Sequence, residues 1–599
     1  MNGICLGSKL LLPITSHEKN LFLTLKVGVL SLFVYHAKAQ EIVSETEAAY
    51  NQRMKWFNDA QFGLFIHYGV YSNLAGEWKG EPVKKYSEWI QRWGKITPEE
   101  YIPLAADFKP ENLDADLWVK TAREAGMKYM VITTKHHEGF CLWDSEHTEY
   151  DLGEATTFDR DILGELKVAC DKYGIKYGTY YSIIDWHHPS QRAEQASNKP
   201  PMNDKAGYVN YMKAQLKELV DRYDPAIMWF DGDWTPWWTP EDGTDLYNYL
   251  RELSPEMIIN NRVSKRALFK KDYGTPENST PGATLDHFWE ACWTINHSWG
   301  YKKSDQKWKS HTELVQKQID INTKGGNLLL NIGPKGDGSW PAASFEQLKA
   351  MGEWNKAHHD AVYDTENAEL PVQTWGRLSW SKASNLEKGD LYAYVFDWPS
   401  DGKLFFNLVS ADRITATTYG DQPLTSTIKE KGIEVDVSSI TPNEYATVIK
   451  LNYDNLQKLN YGEVDLKLTG NELILQISDA MAKNQKGSKA GTDFIELIPG
   501  SASKVNWSLN VPAPSKYEVS ILYSYLDNSS KAQVMIKIGG KTVKAKLKTI
   551  LDPSDYQLHK LGVVNLDQVG ATKVKLTYED MRECATFQVK TVIFTPVAE

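Results

Sequence analysis

Short apolar runs alternate with longer amphipathic stretches between about residues 50 and 360. Phe62 to His67, Tyr129 to Thr134, Lys176 to Ser182 and Ala226 to Phe230 are too short for helices and suit buried strands. Met257 to Asn261, Leu285 to Glu290 and Asn327 to Ile332 extend the series. Between these runs, Leu117 to Ala125, Ile162 to Lys172 and Tyr211 to Tyr223 space their apolar residues as helices do. A strand–helix rhythm sustained over this length predicts an α/β catalytic domain of the (β/α)8-like barrel type rather than an open doubly wound sheet. No strand is followed by G-x-G-x-x-G or a phosphate loop, so a nucleotide-binding fold has no support.

Near residue 365 the texture changes to short strands separated by turn residues: Arg377 to Trp380, Leu391 to Phe396, Leu404 to Asn407 and Tyr445 to Ile449. A second β-rich block follows, with Asp493 to Ile498, Lys516 to Tyr523, Ala532 to Ile538 and Thr586 to Phe594. Lys531 to Lys548, with Gly539-Gly540 inside it, predicts a hairpin. The expected organisation is a signal segment at 1–39, the barrel at 40–364, and β-sandwiches at 365–454 and 455–599.

The start of the chain changes the picture of where it works. Lys19 and Lys26 precede the apolar stretch Val27 to Tyr35, and Ala37-Lys38-Ala39 supplies a small-residue cleavage pattern before Gln40. That predicts export, to a bacterial periplasm or the medium. The apolar run falls far short of the ~20 residues a membrane span requires, so no membrane span is expected. Loss of 1–39 removes four lysines and one glutamate and moves the net charge from −11 to −14. So acidic a chain argues against nucleic acid and anionic membranes as partners. The scattered Cys141, Cys170, Cys292 and Cys584 have no metal or redox spacing. The 21 Trp and 31 Tyr are compatible with stacking on sugar rings.

In a barrel the active site lies at the C-terminal ends of the strands. Those ends give His67, His136-His137, Tyr180, Asp231, Arg262 and Glu290. Two chemistries compete for this set. The three histidines and a carboxylate could bind a metal. Adjacent histidines on a strand point to opposite faces, however, and no H-x-H or H-E-x-x-H pattern is present. The second chemistry is glycoside hydrolysis by two carboxylates, Asp231 and Glu290, with histidines, Tyr180 and indoles around the sugar. It needs neither metal nor cofactor, and it fits the polar and aromatic lining better. Asp233 lies two residues past Asp231 behind a turn at Gly232, and is expected behind the site rather than on the substrate.

The same residues carry a resemblance. Trp56 through Gly69, Thr134-Lys135-His136-His137-Glu138-Gly139-Phe140, Gly178 through Ser182, Trp229-Phe230-Asp231-Gly232 and Gly326 through Pro334 resemble, in the same order, segments of the family 29 glycoside hydrolases, the α-L-fucosidases. The bacterial branch of that family is the nearer match, and the extra C-terminal β-block lies beyond it. The resemblance implies a retaining exo-enzyme that removes terminal α-L-fucose from a fucosylated oligosaccharide or glycoconjugate through a covalent fucosyl intermediate. It implies Asp231 as nucleophile and His67, Glu88, His136, His137 and Tyr180 as substrate contacts. Trp89 beside Glu88, Trp229 and Trp234 would lie near the ring, with Arg262 close to the acid/base.

Two glutamates compete for that acid/base role. Glu290, in Trp289-Glu290-Ala291-Cys292, resembles the acid/base of bacterial members with this W-E motif, and its apolar neighbours would raise its pKa as a general acid requires. Glu277, in Thr275-Pro276-Glu277-Asn278, is the rival, on the segment after the arginine. The expectation is Glu290. Two other functional readings stay open: a fucose-binding lectin on an inactive barrel, and a related glycosidase accepting L-galactose. Block 455–599 reads equally well as a carbohydrate-binding module and as a structural appendage.

Overall fold

Seven parallel strands build the catalytic domain: β1 (Phe62–Ile66), β2 (Tyr129–Lys135), β3 (Lys176–Ser182), β4 (Ile227–Asp231), β5 (Ile258–Ile259), β6 (Trp289–Thr294) and β7 (Gly326–Ile332). The computed structural model describes residues 42–266 and continues to 459 with interruptions at 267–271, 279, 281–286, 369, 371–372, 374, 408 and 431. Beyond 459 it describes chiefly the strands between 473 and 597. The sheet order is β5-β4-β3-β2-β1-β7-β6, and the sheet curls with helices packed outside it. These strands are buried almost end to end, because a parallel sheet covered on both faces leaves no solvated side.

The gap between β5 and β6 is filled by residues 272–278, which bridge both neighbours in parallel at Asn260–Tyr273, Gly274–Trp289 and Glu277–Cys292. Backbone bonds run from Asn261 N–H to Tyr273 O (2.9 Å), Gly274 N–H to Phe288 O (2.8 Å), Glu290 N–H to Gly274 O (2.9 Å) and Cys292 N–H to Pro276 O (3.0 Å). This irregular eighth segment closes the barrel. Its Gly, Pro and Asn residues carry no strand signal in the sequence. It is anchored where it begins: Asp272 accepts Arg53 (2.8 Å) and the Ile259 N–H (2.8 Å), and Arg53 also pairs with Glu45 (2.8 Å).

Helix α1 (Glu47–Ala60) covers the N-terminal end of the barrel. Its Met54, Phe57 and Ala60 join Phe65, Tyr129, Tyr180, Trp229, Tyr273 and Leu329 in one interior cluster. The barrel is thus a packed core with its mouth at the C-terminal ends of the strands.

Past the barrel, Thr365–Asn367, Gly376–Ser381, Lys388–Val395, Thr447–Asp454, Arg413–Thr418 and Pro423–Leu424 form an antiparallel sheet in that order. Strand alternation divides its side chains between two cores. Leu391, Ala393 and Val395 face its own core, and Tyr392 and Tyr394 join the barrel's. From 473 to 597, two further antiparallel sheets share a separate core containing Trp507, Tyr517, Ile521, Leu576 and Phe587. The hairpin at Gly539-Gly540 forms, pairing Ile538 with Lys541. Among the described residues, no helix is long and apolar enough to cross a membrane.

Two expectations need correction. Of the strand expected at Leu285–Glu290, residues 285–286 lie outside the described residues; the strand described runs from Trp289 to Thr294, so Glu290 stands near its N-terminal start and not at its mouth end. A polar residue after an apolar run reads as the exit from the core, whereas this carboxyl is satisfied inside it. His136 and His137 were expected on opposite faces of a strand. The strand ends at Lys135 after a register shift, and both rings turn to the same pocket with centroids 4.3 Å apart.

Candidate active site

β4 delivers Asp231 to the mouth of the barrel, and Gly232 then turns the chain with φ 92°. A Cβ at that position would lie 3.0 Å from the Ile184 backbone nitrogen, so the turn is closed to larger residues. The two oxygens of Asp231 face different neighbours. Arg262 Nη1 donates to Oδ1 at 2.7 Å, while the Tyr180 hydroxyl donates to Oδ2 at 3.2 Å. His137 Nε2 is 3.5 Å from Oδ2, and Arg266 Nη2 is 3.5 Å from Oδ1. Burial pushes this carboxyl up, but Arg262, His137 and Arg266 outweigh it and hold it below the ordinary range. Asp231 is therefore ionised.

The histidines surround it as neutral groups. His67 Nδ1 pairs with Asn331 Oδ1 at 2.6 Å, and burial drives its pKa to about 3. His137 Nδ1 pairs with Ser182 Oγ at 2.6 Å, and burial takes it to about 4. His136 is lowered by burial as well and lies nearly parallel to the Tyr180 ring, with centroids 5.7 Å apart. Glu88 accepts the Gly300 N–H (3.0 Å) and the Ser298 hydroxyl (3.2 Å) through Oε2, and burial raises it to about 7. Three buried atoms remain without a hydrogen-bond partner: His136 Nδ1, His137 Nε2 and Glu88 Oε1. Buried polar groups are normally hydrogen-bonded, so these three atoms call for partners from outside the protein.

Indoles line the same space. Trp89 and Trp234 meet the His137 ring edge-on at 4.9 Å and 5.6 Å, and Trp299 lies 5.1 Å from His67. Trp229 lies nearly parallel to Tyr180 (5.4 Å, 18°) and carries the Arg262 guanidinium 4.6 Å above its ring. Among the described residues, the His, Cys, Asp and Glu groups able to share a metal ion are Asp144, Asp151 and Glu154, and no pocket histidine belongs to that set.

The two glutamates occupy different places. Glu290 is fully buried below Asp231. Its Oε1 accepts the Trp229 indole N–H and its Oε2 the Tyr129 hydroxyl, both at 2.6 Å. Burial raises its pKa to about 7, as the sequence led one to expect, but the burial that does so also encloses it. Glu277, with a side chain 43% exposed, sits on the closing segment with Oε2 3.0 Å from Arg262 Nη2. Arg262 thus spans Asp231 and Glu277, and Thr275 fixes it through hydroxyl (2.8 Å) and carbonyl (3.1 Å).

Sequence reasoning did not single out Asn331, Ser182, Ser298, Thr275, Trp299 or Arg266. Asn331 had a signal, being a polar residue inside the apolar run of β7. Thr275 and Arg266 had none, because they lie in segments that read as loop. Asp233 does lie behind Asp231, with its carboxylate bound by Arg266.

Comparison with known proteins gives this geometry its context. The sequence model of a family described as Alpha-L-fucosidase matches residues 31–360. Plasma alpha-L-fucosidase of Homo sapiens is 32% identical over 418 residues, which cover 64% of this chain and 86% of that one. A crystal structure of a GH29 alpha-L-fucosidase from Bacteroides thetaiotaomicron aligns with TM-score 0.61 and 30% identity, covering 70% of this chain and 98% of that one. It is a trapped covalent intermediate with 2-fluoro-fucosyl fluoride, made in a glutamate-to-glutamine mutant. Alpha-L-fucosidase from Vibrio sp. strain EJY3 is 24% identical and aligns with TM-score 0.70 over 91% of this chain and 98% of that one, which extends the likeness of fold through the β-rich end.

Proposed function

This chain belongs to the α-L-fucosidase family and is a glycoside hydrolase, and from that premise we propose an exo-acting, retaining enzyme that removes terminal α-L-fucose through a covalent intermediate on Asp231. Glu277, rather than Glu290, is the acid/base in this reading. One observation carries it: Arg262 holds Asp231 at 2.7 Å and Glu277 at 3.0 Å at the same pocket mouth. The trapped intermediate of the Bacteroides relative supports the covalent route.

Fucose enters with its hydroxyls toward His67, His136, His137 and Glu88, and the unpartnered atoms of the last three supply hydrogen bonds. Trp89, Trp229, Trp234 and Tyr180 border the ring. Asp231 attacks the anomeric carbon; its carboxylate oxygen bonds to that carbon as the bond to the aglycone oxygen breaks. Glu277 gives its proton to the departing oxygen. In the second step Glu277 takes a proton from water, the water oxygen bonds to the anomeric carbon, and the electron pair of the ester bond returns to Asp231. Fucose leaves with the configuration it brought.

The chain is assigned to the outside of the cytoplasm, with 1–39 removed ahead of Gln40. The divisions 40–364, 365–454 and 455–599 are assigned as barrel, sandwich and sandwich. NMR of the first fucose released from an aryl α-L-fucoside tests the central reading. The α-anomer must appear before mutarotation; β-anomer first makes the enzyme inverting and ends the covalent scheme. Fucose binding with no turnover at all returns the lectin reading.

A further inference from the structure

The run after the nucleophile holds a second carboxylate that the reaction above does not use. Asp233 is buried, 3% exposed, and its carboxylate is filled by one residue. Arg266 Nε reaches Oδ1 at 3.1 Å and Oδ2 at 3.0 Å, and the Arg266 backbone N–H donates to Oδ2 at 3.2 Å. Next to it, Lys265 Nζ donates to the carbonyls of Asp233 (2.6 Å) and Thr235 (2.8 Å). The loop carrying Arg266 is thereby fixed to the loop carrying Asp233. The guanidinium so held lies 5.5 Å over Trp234, with Nη2 3.5 Å from Asp231 Oδ1.

We propose that Arg266, positioned by Asp233, is a second cation on the oxygen of Asp231 that does not attack, and that its effect is to speed release of fucose from the enzyme. This rests on the reading of Asp231 as nucleophile. Both guanidinium groups lie on the Oδ1 side, at 2.7 Å and 3.5 Å, while among the described residues Oδ2 faces the Tyr180 hydroxyl and the His137 ring. Oδ2 is then the attacking oxygen, and Oδ1 becomes the carbonyl oxygen of the fucosyl ester. Charge leaves Oδ1 when the ester forms and returns when the C1–Oδ2 bond breaks with its electron pair. Cations at Oδ1 favour the charged carboxylate, so they retard the first step and assist the second.

Arg262 also binds Thr275 and Glu277 and cannot be removed cleanly. Arg266 can. The test is steady-state kinetics of full-length Arg266→Met and Asp233→Asn on two aryl α-L-fucosides. A fast-leaving dinitrophenyl fucoside makes breakdown of the ester limit kcat, and a slow-leaving phenyl fucoside makes its formation limit. On the fast-leaving substrate kcat should fall about 10-fold in both variants, for loss of one charged donor at longer than hydrogen-bond distance. KM should fall with it and kcat/KM should not fall, because loss of the cation slows breakdown of the ester while easing its formation. On the slow-leaving substrate kcat should not fall. The double variant should match the single ones, and Arg266→Lys should recover part of the lost kcat. A drop in kcat/KM as large as that in kcat, a drop on both substrates alike, or no change in either variant overturns the inference. Failure of the underlying reading shows separately, as turnover that survives Asp231→Gly.

Discussion

The mouth of the barrel and its interior each hold a carboxyl group at low exposure, and the two are kept in opposite states. At the mouth Asp231 is ionised, because two guanidinium groups outweigh its desolvation. Below it, Glu290 accepts from the neutral donors Trp229 and Tyr129, with Arg262 a lesser influence, so burial prevails and its pKa rises to about 7. A raised pKa is what a general acid needs, yet here it belongs to a carboxyl whose two oxygens are already taken by the Trp229 N–H and the Tyr129 hydroxyl. Access must be read before protonation state. Glu277, half in solvent beside Arg262, has the access.

The largest expected effects fall at the mouth. Asp231→Gly should cut turnover of an aryl α-L-fucoside on the order of 10⁴-fold, as loss of a covalent nucleophile does. Azide can replace the missing carboxylate and should yield β-fucosyl azide. Glu277→Gly should cost on the order of 10²–10³-fold on a poor leaving group, the range for a lost general acid. There azide attacks the fucosyl ester instead and should yield α-fucosyl azide. The two anomers assign the roles independently of rate. If Glu290→Gly yields α-fucosyl azide and Glu277→Gly does not, the comparison of mouth and interior fails.

Legibility followed the same division. The strand–helix rhythm made the barrel readable, because continuous apolar runs such as Tyr129–Thr134 have few alternatives to a covered parallel strand. Asp231 and His67 could be placed because each follows such a run directly. The closing segment could not, since Gly274, Pro276 and Asn278 carry loop chemistry and the segment is held by isolated bridges rather than by apolar pattern. With it went the position of Glu277 and the role of Thr275. The place of Glu290 was not legible, because a carboxyl inside a core gives no sign in sequence of the Tyr129 and Trp229 donors that satisfy it.

Stability should reverse the ranking of the two glutamates. Glu290→Ala leaves the Trp229 N–H and the Tyr129 hydroxyl buried without acceptors, a loss of about 2–4 kcal/mol. Glu277→Ala touches a half-exposed side chain and should change stability by no more than about 0.5 kcal/mol. Urea melts followed by tryptophan fluorescence measure both. Equal losses would mean that the interior carboxyl is no better integrated than the one at the mouth.

The smallest effect is a dependence on pH. Glu290 has a folded-state pKa of about 7, above its ordinary 4.5. Its contribution to stability is therefore fully present below about pH 4.5 and is lost as pH rises through 7. Glu290→Gln keeps the shape and both hydrogen-bonding positions but cannot ionise. Relative to the native chain, this variant should gain on the order of 1–2 kcal/mol between pH 5 and pH 8. Glu88 and Glu138, raised by burial to about 7 and about 8, tilt both proteins alike and cancel in the difference. Paired melts at the two pH values give the number. A difference that stays constant from pH 5 to pH 8 would place a counter-charge near Glu290 and make the interior as electrostatically compensated as the mouth.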